Sequence, residues 1–150
     1  KENNSSQLVH ACTDITGFGL LGHLQEMLDA SNAEREKKGF SMLRIKLAAD
    51  SIPHLQGVLS LLGDGYSSTL APSNRRAWSL LNQIANRPPY IELELKDDTV
   101  FRSNRYNQLK ELIVDPQTCG PLLIACSKET ALELTNKESW RRIGTIYEAQ

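Results

Sequence analysis

Residues 8 to 23 read LVHACTDITGFGLLGH, and this stretch indicates how the fold begins. Its first half, residues 8–15, is rich in β-prone side chains and predicts a strand. Gly17 and Gly19 then permit a sharp turn. From Gly19 onward apolar residues recur at helical spacing, so a helix should follow and end near Ser31 and Asn32. The segment predicts a strand, a tight turn and a helix packed on a sheet.

Strand and helix patterns alternate along the rest of the chain, with no repeat and no low-complexity segment. Strict alternation or short apolar runs predict further strands, and helical spacing predicts further helices. The strands are expected over residues 40–47, 90–95, 122–126 and 143–147, and the helices over residues 53–62, 74–86, 106–113 and 128–134. Loops are expected over residues 66–73 and after residue 95, and prolines 88 and 89 should block the second of these helices. These elements predict an α+β fold, drawn as α/β layers, in which helices pack on a mixed β-sheet.

The composition of the chain excludes several classes of function. The chain has 150 residues and 40% hydrophobic content, enough for a single domain over residues 1–150 with one core. Lys and Arg number 17 against 18 Asp and Glu, which gives no broad basic surface for nucleic acid. The apolar runs are too short to cross a membrane and residues 1–7 lack the features of a signal peptide, so we expect a cytoplasmic protein.

The chain has three cysteines, Cys12, Cys119 and Cys126, without a CxxC pair. This odd number and spacing support neither a disulfide framework nor a zinc site. We expect inert thiols, with Cys12 buried in its strand.

Gly17 to Gly22 also match the pattern G-x-G-x-x-G, which favours a Rossmann-type dinucleotide-binding module as one interpretation. No acidic residue ends the second strand at the spacing that this motif requires. Asp14 precedes the turn instead, where a carboxylate would repel phosphate unless a metal intervened.

Asp14 suits a second interpretation, a Mg²⁺ ion that bridges to nucleotide phosphates. Thr16, Gly17 and Gly19 would then line the phosphate site, where the glycines allow close approach and the helix N-terminus offers N–H groups to an anion. In a third interpretation Asp14 and Thr16 only cap the helix and the glycines serve packing. The residues alone leave these interpretations open.

Two blocks carry a family resemblance. Residues 13–23 resemble the signature that opens the C-terminal domain of selenophosphate synthetase (selenide, water dikinase), a family related to aminoimidazole ribonucleotide synthetase. Residues 115–124, DPQTCGPLLI, look like that family's second segment, DPQTSGGLL. Cys119 and Pro121 depart from the usual Ser and Gly, and Pro121 removes a backbone donor.

The resemblance implies an enzyme that makes selenophosphate from selenide and ATP and releases AMP and phosphate. It implies that Asp14 binds Mg²⁺ and that Asp14, Thr16, Gly17 and Gly19 contribute to the Mg²⁺-ATP phosphate site. It places the ATP site between this C-terminal half and an N-terminal ATP-binding domain that also carries the reactive residues. No catalytic residue is therefore expected within residues 1–150, and the chain alone should be inactive.

The family's members dimerise mainly through the N-terminal domain, so the chain alone is expected to be monomeric and the full-length enzyme a homodimer. A catalytically silent domain retained for assembly is a further alternative to the dinucleotide-binding module. His23 is expected to have a structural role, such as a hydrogen bond to a backbone carbonyl. Asn74 draws attention only because it falls where the family has a loop that ends in Asn.

Overall fold

Strands and helices alternate along the chain in the computed structural model, which describes residues 9–83, 89–95 and 104–149. The strands are β1 (Val9–Asp14), β2 (Leu43–Ala48), β3 (Ile91–Glu94), β4 (Leu122–Cys126) and β5 (Gly144–Glu148). The α-helices are α1 (Gly19–Lys37), α2 (Val58–Gly63), α3 (Ala71–Asn74), α4 (Asn104–Leu112) and α5 (Lys128–Thr135), with 3₁₀ helices at Ala49–Ser51 and Arg75–Leu81. The predicted α+β class is confirmed.

The described strands form two sheets. The first is mixed and has the order β3-β2-β5, with β2 parallel to β3 and antiparallel to β5. The second is an antiparallel ribbon of β1 and β4, in which Asp14 lies opposite Leu122 and Thr13 opposite Leu123. A dinucleotide-binding fold places its first two strands side by side and parallel in one sheet. Because β1 and β2 lie in different sheets, the Rossmann-type alternative is wrong.

Among the described residues, a hydrophobic cluster joins the two sheets, helices α1 and α4 and the 3₁₀ helix Arg75–Leu81. Leu20, Leu21, Leu24 and Leu28 project from the apolar side of α1. They pack in the same cluster as Ile45 and Leu47 of β2, Ile91 and Leu93 of β3, and Leu109, Ile113 and Val114 at the end of α4. Since α1 begins at the ribbon and also contacts β2, it fixes the position of the β1–α1 turn relative to the core.

Helix α1 is longer than predicted, because it continues past Ser31 and Asn32 to Lys37. The side chain of Asn32 is buried and turned towards β2. Its Oδ1 accepts a hydrogen bond from Leu43 N–H at 2.6 Å and its Nδ2 donates to Leu43 O at 3.1 Å. Asn32 therefore joins two elements and does not compete for the backbone of its own helix.

Three further boundaries differ from the prediction. The helix expected over residues 53–62 begins only at Val58, after Gly57 with a φ of 86°. The one expected over residues 74–86 is replaced by α3, inside a predicted loop, and by the 3₁₀ helix Arg75–Leu81. The strand expected from residue 40 begins at Leu43. Residues 84–86, the stop at Pro88, the loop expected directly after Leu95 and the start of the first strand at residue 8 lie outside the described residues.

The cysteines also differ from expectation. Cys12 and Cys119 are exposed, so the prediction of a buried Cys12 was wrong, and Cys126 is half-buried. Cys12 is exposed together with Asp14 on β1, because within the described part of the chain this strand pairs only with β4. Burial raises the pKa of the Cys126 thiol. No helix in the described ranges is both long and apolar enough to cross a membrane.

Candidate functional site

The two sequence blocks that are far apart along the chain lie against each other. They pair along β1 and β4, and the contact continues beyond the strands. Ile15 N–H donates to Pro121 O at 3.0 Å, and Gln117 N–H donates to Thr16 O at 3.1 Å. Residues 13–23 and 115–124 therefore form one structural unit, which we call the two-block site.

Glycines make this close approach possible. A Cβ atom at Gly120 would overlap the carbonyl group of Ile15. Gly19 has a φ of 68°, and a Cβ there would lie 2.8 Å from the carbonyl carbon of Val114. Both positions therefore require glycine for backbone packing within the two-block site. Gly17 differs, since a Cβ there would meet only Leu70 Cδ1 at 4.0 Å.

Asp14 ends β1 with an exposed side chain. The hydroxyl of Thr13 donates to the backbone carbonyl of Asp14 at 3.2 Å, and no described residue pairs with the Asp14 carboxylate. Phe18 is the N-cap residue of α1, and no side chain caps this helix. The alternative in which Asp14 and Thr16 cap the helix is therefore wrong, and the carboxylate remains available to a ligand.

The backbone N–H groups around the turn are not equally available. Gly19 N–H donates to Thr16 O at 3.0 Å, and Leu21 N–H donates to Ile113 O at 2.8 Å, so these amides of the first turn of α1 already have partners. The N–H groups of Gly17 and Phe18 find no acceptor among the described residues. These two free donors therefore lie in the turn, three and four residues after Asp14 along the chain.

His23 is buried one turn into α1 and contacts the turn that precedes the helix. Its Nε2 accepts a hydrogen bond from Thr16 N–H at 3.0 Å, and Thr16 Oγ1 lies 3.1 Å from the same nitrogen. Its Nδ1 lies 3.1 Å from Glu26 Oε2. A backbone N–H can only donate, so this network assigns the proton to Nδ1, which donates to Glu26. The role is structural as expected, but the partner is an N–H group and not a carbonyl.

Asn74 at the end of α3 is buried and joins the first block to Val114, the residue that precedes the second block. Its Nδ2 donates to Gly17 O at 2.8 Å and to Val114 O at 3.0 Å. Nearby, Ser68 Oγ donates to Asp115 Oδ1 at 2.9 Å. Sequence reasoning did not assign these contacts, and the position of Asn74 in a family-like loop was its only signal.

An open groove runs beside the turn, between the start of α1 and the 3₁₀ helix Arg75–Leu81. Phe18, Glu26, Asn74 and Arg76 contribute to its walls. The described residues contain no group of three or more His, Cys, Asp or Glu side chains that could hold a metal ion. Mg²⁺ needs few protein ligands when phosphate oxygens complete its shell, so the single carboxylate of Asp14 fits one ligand of such an ion.

Comparison with known proteins connects this geometry to a family. Residues 1–150 match the family described as AIR synthase related protein, C-terminal domain. The chain belongs to this family. The match extends over both blocks of the site and over the α+β domain that holds them together.

Curated relatives of this AIR synthase related domain share one name. The chain is 29% identical over 138 residues to selenide, water dikinase of Clostridium botulinum (strain Alaska E43 / Type E3), covering 91% of the chain and 32% of the relative. It is 34% identical over 126 residues to selenide, water dikinase of Caldanaerobacter subterraneus subsp. tengcongensis, covering 84% of the chain and 28% of the relative. The chain is also 32% identical over 129 residues to selenide, water dikinase of Rhizobium meliloti, covering 86% of the chain and 29% of the relative. The chain spans less than a third of the length of these relatives.

Proposed function

We propose that this chain is the C-terminal domain of a selenide, water dikinase, the enzyme that makes selenophosphate from selenide and ATP with release of AMP and phosphate. Within that enzyme it supplies one wall of the Mg²⁺-ATP phosphate site. The observation that carries the proposal is that, among the described residues, neither the exposed carboxylate of Asp14 nor the N–H groups of Gly17 and Phe18 in the following turn have a hydrogen-bond partner.

The chemistry of these groups fits a metal-bound polyphosphate. Asp14 offers a hard oxygen ligand, and the N–H groups of Gly17 and Phe18 are donors for phosphate oxygens. Around Gly17 the nearest atom to a Cβ position is Leu70 Cδ1 at 4.0 Å, and the missing side chain lets a phosphate approach the backbone of the turn. When bound, Mg²⁺ neutralises charge on the phosphoryl groups that are transferred.

The rest of the site is proposed to come from an N-terminal ATP-binding domain. The relatives are more than three times as long as the matched segment, which leaves room for such a domain. The family resemblance assigns the reactive residues to that domain, so the chain alone should have no activity. The full-length enzyme is proposed to be a cytoplasmic homodimer.

A nuclear magnetic resonance titration of the chain with millimolar Mg²⁺-ATP tests the proposal. We expect shifts concentrated on the amides of residues 14–18, and these shifts should require Mg²⁺. Replacing Asp14 with Asn should weaken binding about tenfold or more, because a charged ligand to the cation is lost. The matched control is Asp29→Asn, at an exposed position of α1, which should leave the response unchanged.

NAD(H) serves as the control ligand and should give no shifts at the turn. A response that Asp14→Asn leaves intact, or that appears equally without Mg²⁺, would contradict the proposed metal-phosphate site. The absence of any response to Mg²⁺-ATP would favour the alternative of a catalytically silent domain used for assembly.

A further inference from the structure

Two buried polar side chains converge on the same turn from different helices. His23 comes from α1 and Asn74 from the end of α3, and both are almost fully buried. His23 bonds to the N–H of Thr16, and Asn74 bonds to the carbonyl of Gly17. Burying a polar side chain is costly unless its hydrogen bonds are made, so this convergence needs a structural reason.

His23 is suited to its position by having an acceptor and a donor at opposite sides of one ring. Nε2 accepts from Thr16 N–H, and Nδ1–H donates to Glu26, whose side chain is largely exposed. Phe18 packs near the imidazole, with ring centroids 5.7 Å apart. Glu26 therefore fixes the tautomer that Thr16 requires.

Asn74 is suited to its position by having two donors on one nitrogen. Its Nδ2 donates to two backbone carbonyls, that of Gly17 in the first block and that of Val114, directly before the second block. A flipped amide, or an Asp at this position, would place an oxygen against two carbonyl oxygens and repel both. The side chain therefore couples the turn to the end of α4.

We propose that His23 and Asn74 are positioning residues that clamp the Thr16–Gly17 turn for ligand binding. The clamp pairs Thr16 N–H with His23 and Gly17 O with Asn74, and backbone N–H groups pair with Thr16 O. The N–H groups of Gly17 and Phe18 find no acceptor among the described residues. The clamp thus preorganises these free donors in the turn that follows Asp14 and avoids an ordering cost at binding. This inference rests on the proposed phosphate function for its ligand, but the clamp itself can be measured without one.

Two substitutions of His23 separate the clamp from general packing. His23→Gln places an amide oxygen near the position of Nε2, so it can still accept from Thr16 N–H. His23→Asn reaches only the position of Nδ1 and cannot. Amide hydrogen exchange at Thr16 should therefore accelerate about tenfold or more in His23→Asn and stay within about twofold of wild type in His23→Gln.

Mg²⁺-ATP is the ligand probe for the same variants. His23→Asn should raise its dissociation constant about tenfold, and His23→Gln should largely restore binding. Asn74→Asp should weaken binding at least as much, and Asn74→Ala covers the case in which the carboxylate prevents folding. Asn82→Asp and His54→Asn, both at exposed positions, are the matched controls and should bind Mg²⁺-ATP as wild type does.

The results of these experiments test the clamp and the proposed function separately. Equal behaviour of His23→Gln and His23→Asn in exchange at Thr16 would overturn the clamp, because only one of them retains the acceptor. Wild-type exchange at Thr16 with unchanged affinity in all variants would overturn it as well. If wild type shows no response to Mg²⁺-ATP, the proposed function fails, while the exchange at Thr16 still decides whether the clamp exists.

Discussion

Gly17 and Gly19 lie two residues apart in the same turn and meet different surroundings. Gly19 has a φ of 68° and lies against the backbone of Val114 and Asp115, whereas Gly17 has open space where a Cβ would be. Gly19→Ala should lower the free energy of unfolding by about 2–4 kcal/mol, through the left-handed conformation and the overlap with backbone. Gly17→Ala should change it by less than about 0.5 kcal/mol.

Urea unfolding of the two variants checks this difference, and each serves as the control for the other. Similar losses of stability would contradict the packing role assigned to Gly19. If Gly17→Ala is as stable as wild type but binds Mg²⁺-ATP less well, the added methyl group obstructs the approach of the ligand. That result would support the proposed role of the open space at Gly17.

The residues of the site differ in how far the sequence predicts them. Asp14 and the glycines belong to a continuous motif, so their place between a strand and a helix was predictable from local pattern. The contacts of Asn74 with Gly17 and Val114 join three separate segments of the chain. Contacts between distant segments leave no periodic pattern in a single sequence, so pattern analysis could not predict them. Packing was one interpretation of the glycines, but the partner of Gly19 was hidden, because Val114 lies far from it along the chain.

At the scale of elements, Asn32 links helix α1 to strand β2 through two hydrogen bonds with Leu43. Asn32→Ala would leave the N–H and carbonyl of Leu43 without these partners and should cost about 2 kcal/mol. The exposed Asn82→Ala is the control and should cost less than about 0.5 kcal/mol. Thermal or urea unfolding of both variants measures the difference, and equal stabilities would show that water replaces the Asn32 contacts.

The same residue shows why element boundaries were harder to predict than the elements. Ser31 and Asn32 are common at helix ends, but tertiary contact with β2 allows α1 to continue to Lys37. Near residue 55 the prediction failed in the opposite way, because it included residues in a helix that do not belong to it. Leu55 fits the helical spacing, yet its side chain is 83% exposed and the helix begins only after Gly57. Helical spacing shows where apolar residues recur along the chain, but it does not show whether their side chains are buried in the fold.

Across the whole molecule, the separation into two sheets could not be predicted from local patterns. All five described strands overlap predicted ones, but the choice of partners depends on segments far apart in the chain. β1 pairs with β4 and leaves Cys12 and Asp14 exposed, whereas β2 lies between two other strands with Ile45 and Leu47 buried. The proposed site therefore lies on the less enclosed of the two sheets.

This difference predicts that the two sheets open with different free energies. The hydrogen-bonded amides of β2 should exchange only through global unfolding, because β2 is central in its sheet and packed in the core. Those of β1 should exchange at least about tenfold faster, through an opening of the β1–β4 ribbon that leaves β2 intact. Native-state hydrogen exchange at low urea concentrations measures both. Equal opening free energies for β1 and β2 would show a single cooperative unit instead. Since the opening would separate Asp14 from the second block, a ligand held by the two-block site should slow exchange in β1, and it should slow exchange in β2 by the same factor, because global unfolding also releases the ligand.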